Sequence, residues 1–156
     1  MKHLKLFESY FVYETVLVIG LPGSGKSTLA NRLKLKNPDK DFFIVDDGEY
    51  HEAANMFGKN NMILCDGYLI DRYFFNAVMS DFKKNGIKFS CLYFENAPEK
   101  CVENIKSRKN HSMPTGTLLG ELSYYSKDYS IIIQELRNLQ KDGTCLSLEE
   151  VPIYQV

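Results

Sequence analysis

The stretch Val16-Leu17-Val18-Ile19-Gly20-Leu21-Pro22-Gly23-Ser24-Gly25-Lys26-Ser27-Thr28 decides the fold. Val16 to Ile19 is a continuous apolar run, the pattern of a strand buried on both faces. Glycines then let the backbone curl, so that successive N–H groups point inward around the oxygens of an anion. A helix opening near Lys26 aims its positive end at the same point. In a loop of this pattern Lys26 reaches the β- and γ-phosphates of a nucleoside triphosphate. The Ser27 hydroxyl ligates Mg²⁺, and Thr28 bonds a further phosphate oxygen. The whole segment Gly20, Leu21, Pro22, Gly23, Ser24, Gly25, Lys26, Ser27 and Thr28 is therefore read as the binding loop for ATP or GTP with Mg²⁺. The pattern arises by chance in a chain this long roughly once in two hundred. Its place between a strand and a helix argues against an ordinary glycine-rich turn.

Working outward, four more short apolar runs read as strands: Phe42–Val45, Met62–Cys65, Phe89–Phe94 and, more weakly patterned, Thr144–Leu148. Helical stretches lie between them, at Ser27–Leu35, Ile70–Lys84, Pro98–Lys109, Leu118–Tyr125 and Ser130–Leu139. The second places Phe74, Val78 and Phe82 on one face. Alternating strands and helices predict repeated βαβ units. The expected fold is α/β: a three-layer sandwich on a five-stranded parallel sheet in order 2-3-1-4-5, a P-loop fold with a short lid at about 106–117. The 156 residues suit one domain, 1–156, with residues 1–15 as an N-terminal extension. Phe7, Tyr10, Phe11 and Tyr13 make that extension aromatic; it either packs on the core or docks a partner.

Carboxylates end two of the strands. Asp46 and Asp47 close the second run, where strand ends of an open α/β sheet face the ligand crevice. A carboxylate there can take the proton of an attacking hydroxyl. The alternative is a loop or helix-capping role before Glu49. Asp66 ends Met62-Ile63-Leu64-Cys65 and precedes Gly67. Four apolar residues and then Asp form a Walker B arrangement that holds Mg²⁺ directly or through a water; the alternative is an Asp-Gly turn. Asp71 and Arg72 open the next helix, where an Asp suits the dipole without any functional role. Lys100, Lys106, Arg108, Lys109 and His111 surround the end of the fourth helix, ahead of the breaker-rich Ser112–Thr117. Helix, basic loop, helix is the layout of a phosphate-clamping lid.

Taken together, the loop, the strand-end Asp pair, the strand ending in Asp66 and the basic stretch leading to Pro114 resemble the kinase domain of phage-type polynucleotide kinase. That domain is a small adenylate-kinase-like P-loop kinase. The resemblance spans about Val16 to Tyr125. It implies Asp46 as catalytic base, Arg108 as lid arginine and Asp66 as the second acidic strand end. Where the family carries an arginine that grips a nucleic acid 3′-phosphate, this chain has Gly48, Glu49, Tyr50 and His51.

Bulk properties narrow the partners. Net charge is −1, so broad capture of duplex nucleic acid is not expected. Cys65, Cys91, Cys101 and Cys145 show neither C-x-x-C nor zinc spacing. They read as reduced thiols, and the chain as cytoplasmic, of the host cell if it is viral. Met1 to Thr15 is broken by Lys5, Glu8 and Glu14 and reads as neither signal peptide nor membrane span. The expected function is a kinase, moving the γ-phosphate of ATP to a hydroxyl or phosphate of a nucleoside, nucleotide or nucleic-acid 5′ end. Lys26, Asp46 and Arg108 are the catalytic group, and Ser27 and Asp66 the metal ligands. Two alternatives stand beside it: a kinase for a sugar or antibiotic hydroxyl, and a nucleotide-binding switch or assembly module.

Overall fold

Strand β1 (Thr15–Ile19) runs through the centre of the sheet, and its Leu17, Val18 and Ile19 are wholly buried. Successive strand residues point to opposite faces, so both faces of β1 are covered. The computed structural model describes residues 12–108 and 113–154. Five parallel strands pair in the order β2-β3-β1-β4-β5, with β2 at Phe43–Val45, β3 at Met62–Leu64, β4 at Phe89–Phe94 and β5 at Cys145–Val151. This is the expected three-layer α/β architecture in the expected strand order. The order reverses direction next to β1, so the carboxyl ends of β1, β2 and β3 open a crevice there.

The helices are α1 (Lys26–Lys36), α2 (Tyr50–Ala53), α3 (Arg72–Lys84), α4 (Pro98–Ser107), α5 (Thr115–Ser126) and α6 (Tyr129–Lys141). Helix α3 starts at Arg72 rather than Ile70, because the Asp71 side chain accepts the N–H groups of Tyr73 and Phe74 at 2.9 and 3.4 Å. A 3₁₀ turn, Gly67–Ile70, precedes it. The buried face of α3 is Phe75, Val78, Met79 and Phe82; Phe74 packs at its edge, edge-on to Tyr50 with ring centroids 5.8 Å apart. Helix α6 buries Tyr129, Ile132, Ile133, Leu136 and Leu139.

Strand β5 is longer than its sequence pattern suggested. It forms one edge of the sheet, with Leu146 62% exposed, so it lacks the continuous apolar run of the inner strands. Of the N-terminal extension, residues 1–11, including Phe7, Tyr10 and Phe11, lie outside the described residues. Glu14 ties the chain to the sheet: its carbonyl accepts the Met62 N–H at 2.9 Å and its carboxylate pairs with Lys40 at 2.7 Å. No helix among the described residues is long and apolar enough to cross a membrane.

Candidate active site

The turn after β1 is shaped by two glycines. Gly23 has φ 85°, and a Cβ there would lie 2.7 Å from the Cys101 carbonyl oxygen. Gly25, at φ 106°, is the N-cap of α1. Any side chain at either position would be strained. No side chain caps α1 and no acidic residue sits in its first turn. Its leading N–H groups and positive end are therefore left for an anion. The Lys26 ammonium curls back onto the Leu21 carbonyl at 3.0 Å. Burial in the loop pushes its pKa below the ordinary lysine value, and the negative charge of Asp47 partly offsets this. The Ser24 hydroxyl is 3% exposed and has no hydrogen-bond partner. A buried hydroxyl is costly without a partner, so a ligand oxygen in the loop would satisfy it.

Distant residues hold the loop from behind. The Tyr129 hydroxyl donates to the Phe94 carbonyl at 2.6 Å, at the end of the strand beside β1. The buried Asn104 amide donates to the carbonyls of Gly23 and Tyr154, both at 3.0 Å.

A cleft of about 640 Å³, counted to its open mouth, rises from the loop and brings together Lys26, Ser27, Asp46, Asp47 and Arg108. Neither Asp caps α2, whose N-cap is Glu49 with no side-chain cap bond, so the capping alternative falls away. Asp46 Oδ1 accepts the Asp47 N–H at 2.8 Å, and Asp47 Oδ1 accepts the Gly67 N–H at 2.6 Å, which fixes the two strand ends against each other. Arg108 leaves the end of α4 in extended conformation, and its positive charge acts directly on Lys26. Of the lid expected at about 106–117, residues 109–112, with Lys109 and His111, lie outside the described residues; Met113 lines the cleft and α5 begins at Thr115.

Asp66, read from the sequence as a metal ligand, is held by the backbone of two loops. It is 2% exposed, does not line the cleft, and accepts backbone N–H groups through both oxygens, from Gly48 at 3.1 Å and Tyr68 at 2.8 Å. Burial raises its pKa above the usual carboxylate value, and the two N–H bonds pull it back. These two bonds tie together the loops that carry Asp47 and Tyr68. Asp66→Ala should orphan two donors and lower stability by about 2 kcal/mol, read as a fall in melting temperature. Unchanged melting with lost Mg²⁺ dependence would return Asp66 to the metal.

Two further groups of residues had no local sequence signal. On the opposite side of the loop a wider groove of about 1130 Å³ is lined by Thr28, Arg32, Phe94, Ser107, Arg108 and Tyr154. Phe94 ends β4, and strand ends face the crevice, which was its one available cue. In the first cleft Tyr68, Glu121 and Tyr125 form part of the wall away from the loop.

No known family's sequence profile matches the chain, and no curated protein matches it. Its fold is shared with solved structures. A gluconokinase from Sinorhizobium meliloti 1021 superposes with a TM-score of 0.51 at 12% identity, over 94% of this chain and 85% of that one. APE1195 superposes with a TM-score of 0.50 at 19% identity, over 78% of this chain and 98% of that one. These solved structures share the α/β fold in which the loop after β1 sits.

Proposed function

We propose that the chain is a phosphotransferase that moves the γ-phosphoryl group of ATP or GTP to an acceptor oxygen. The observation carrying this reading is that Lys26, Ser27, Asp46 and Arg108 line one cleft while a second groove opens on the far side of the same loop. A kinase needs two binding regions that meet at the γ-phosphate, whereas a nucleotide switch needs one. The groove beside Phe94 and Arg32 takes the donor's nucleoside, the loop takes its phosphates, and the cleft beside Asp46 takes the acceptor.

The chemistry follows from these roles. Lys26 and the loop N–H groups position the phosphates. Mg²⁺, when bound, would neutralise charge on the phosphates. Ser27 would hold it together with Asp47, the carboxylate whose charge acts most strongly on Lys26. Asp46 takes the proton as the acceptor oxygen attacks phosphorus. The bond from phosphorus to the bridging oxygen breaks, and its electron pair stays on the departing diphosphate. Arg108 offers a guanidinium to the charge that spreads over the transferring group.

The acceptor class, as in phage-type polynucleotide kinase, is a nucleoside, nucleotide or nucleic-acid 5′ end; a sugar or antibiotic hydroxyl is the alternative. The gluconokinase that shares the fold is named as a kinase, which suits the reading. The test is a transfer screen with γ-labelled ATP and Mg²⁺ across nucleosides, nucleotides, sugars, aminoglycosides and short oligonucleotides. Labelled product that disappears in Lys26→Ala is the expected result. Tight MgATP binding with no transfer to any acceptor would make the chain a binding module.

A further inference from the structure

The acceptor side of the cleft is acidic and aromatic. Asp46, Asp47 and Glu121 line it, with the rings of Tyr68 and Tyr125 and the apolar Ile70 and Leu118. Tyr68 and Tyr125 meet edge-on, with centroids 6.4 Å apart and planes at 78°, forming a corner against which a flat or apolar face can lie. The Tyr68 hydroxyl donates to Glu121 Oε1 at 3.2 Å. An ionised carboxylate has about four acceptor sites on two oxygens, so Glu121 keeps capacity for a ligand N–H or O–H. The Tyr125 hydroxyl donates to Asp71 at 3.3 Å, which places a further carboxylate behind the same corner.

Among the described residues the only cations lining this cleft are Lys26 and Arg108. Both belong to the donor phosphates. An acceptor bearing its own phosphate or carboxylate would meet these three carboxylates and, among the described residues, no further cation lining the cleft. Like charges this close, partly out of water, repel strongly.

Building on the kinase reading, we propose that the acceptor is an uncharged or cationic alcohol with a flat or apolar face, and that Glu121 selects for it. The Tyr68–Tyr125 corner holds that face. Glu121 takes an amine or hydroxyl remote from the reacting oxygen. The transferred atoms are unchanged: the acceptor oxygen gains the phosphoryl group, Asp46 takes its proton, and the nucleoside diphosphate leaves with the electron pair. This narrows the acceptor away from nucleotides and phosphorylated nucleic-acid ends, toward nucleosides and amino sugars.

The experiment compares initial rates on acceptors matched for size and differing in charge. Glucosamine, glucose and gluconate form one series, and adenosine and adenosine monophosphate a second. An aminoglycoside and a 5′-hydroxyl oligonucleotide complete the panel. Higher kcat/KM for the uncharged and cationic members is expected, by about tenfold or more for each added negative charge. Glu121→Gln should lower kcat/KM for the amine-bearing acceptors about tenfold, through KM. It should do so without changing the Kd for MgATP. A preference for gluconate, adenosine monophosphate or the oligonucleotide overturns the inference while leaving the kinase reading intact. So does a Glu121→Gln variant, folded by its melting curve, with wild-type KM for every amine-bearing acceptor. Absence of transfer to every member despite MgATP binding overturns both.

Discussion

Lys26→Ala is expected to weaken MgATP binding on the order of 100-fold, since its ammonium makes charge-assisted bonds to phosphate worth a few kcal/mol. The structure adds a reason for a large effect. Lys26 is already partly desolvated and held at the Leu21 carbonyl, with its pKa lowered by burial. Much of the cost of taking the charge out of water is therefore met in the folded protein, before nucleotide arrives. On binding, the ammonium exchanges a neutral carbonyl for an anion. Lys26→Arg should recover only part of the loss, because a planar guanidinium does not reproduce the compact charge of the ammonium. Calorimetric titration with MgATP, alongside melting curves to show that each variant is folded, measures this. Equal affinity in the wild type and Lys26→Ala would remove the nucleotide site from this loop.

The parts of this site that the sequence revealed are those built from contiguous residues. Gly20 to Thr28 is strand, turn and helix in one segment, and its pattern carries its own geometry. The strand-end position of Asp46 was legible for the same reason, because a short apolar run followed by Asp marks where a strand stops. Sequence reading stopped where tertiary partners decide. The signature that reads Asp66 as a metal ligand does not show that the N–H groups of Gly48 and Tyr68 each bond one of its oxygens. Nothing in Met62–Asp66 announces that Gly48, 18 positions earlier in the chain, will need an acceptor. Tyr68 and Glu121 are 53 positions apart, and Asn104 and Gly23 are 81 apart. No periodicity links such pairs; only the βαβ winding brings them together. The four-residue helix α2 entered the sequence reading only as a helix for Asp46 or Asp47 to cap, because a single turn is too short to show a helical repeat. The start of α3 was misplaced by two residues because Asp71 is a stronger stop than the apolar run through Ile70.

Asp46→Asn carries the other large effect. As general base, Asp46 should contribute roughly 10²–10⁴-fold to kcat, and the amide cannot take a proton. Asn has nearly the same shape and keeps an oxygen, so it can still accept the Asp47 N–H that Asp46 Oδ1 accepts now. The strand-end geometry, the melting temperature and MgATP affinity should therefore hold while turnover collapses. That combination separates the base from two other roles. If Asp46 served chiefly to shape the turn, the loss would appear in melting temperature, with activity per folded molecule intact. If it served chiefly as a metal ligand, the loss would appear as a raised Mg²⁺ requirement that added Mg²⁺ relieves. Arg108→Ala supplies the complementary result. Arg108 lies at the surface beside both the cleft and the groove, so its guanidinium can follow charge as it moves onto the transferring group. Its removal should lower kcat by about 10²-fold or more, the usual worth of such a donor, with a smaller change in nucleotide Kd. A folded Asp46→Asn enzyme with wild-type kcat would move the base to Asp47, the other carboxylate on the same wall.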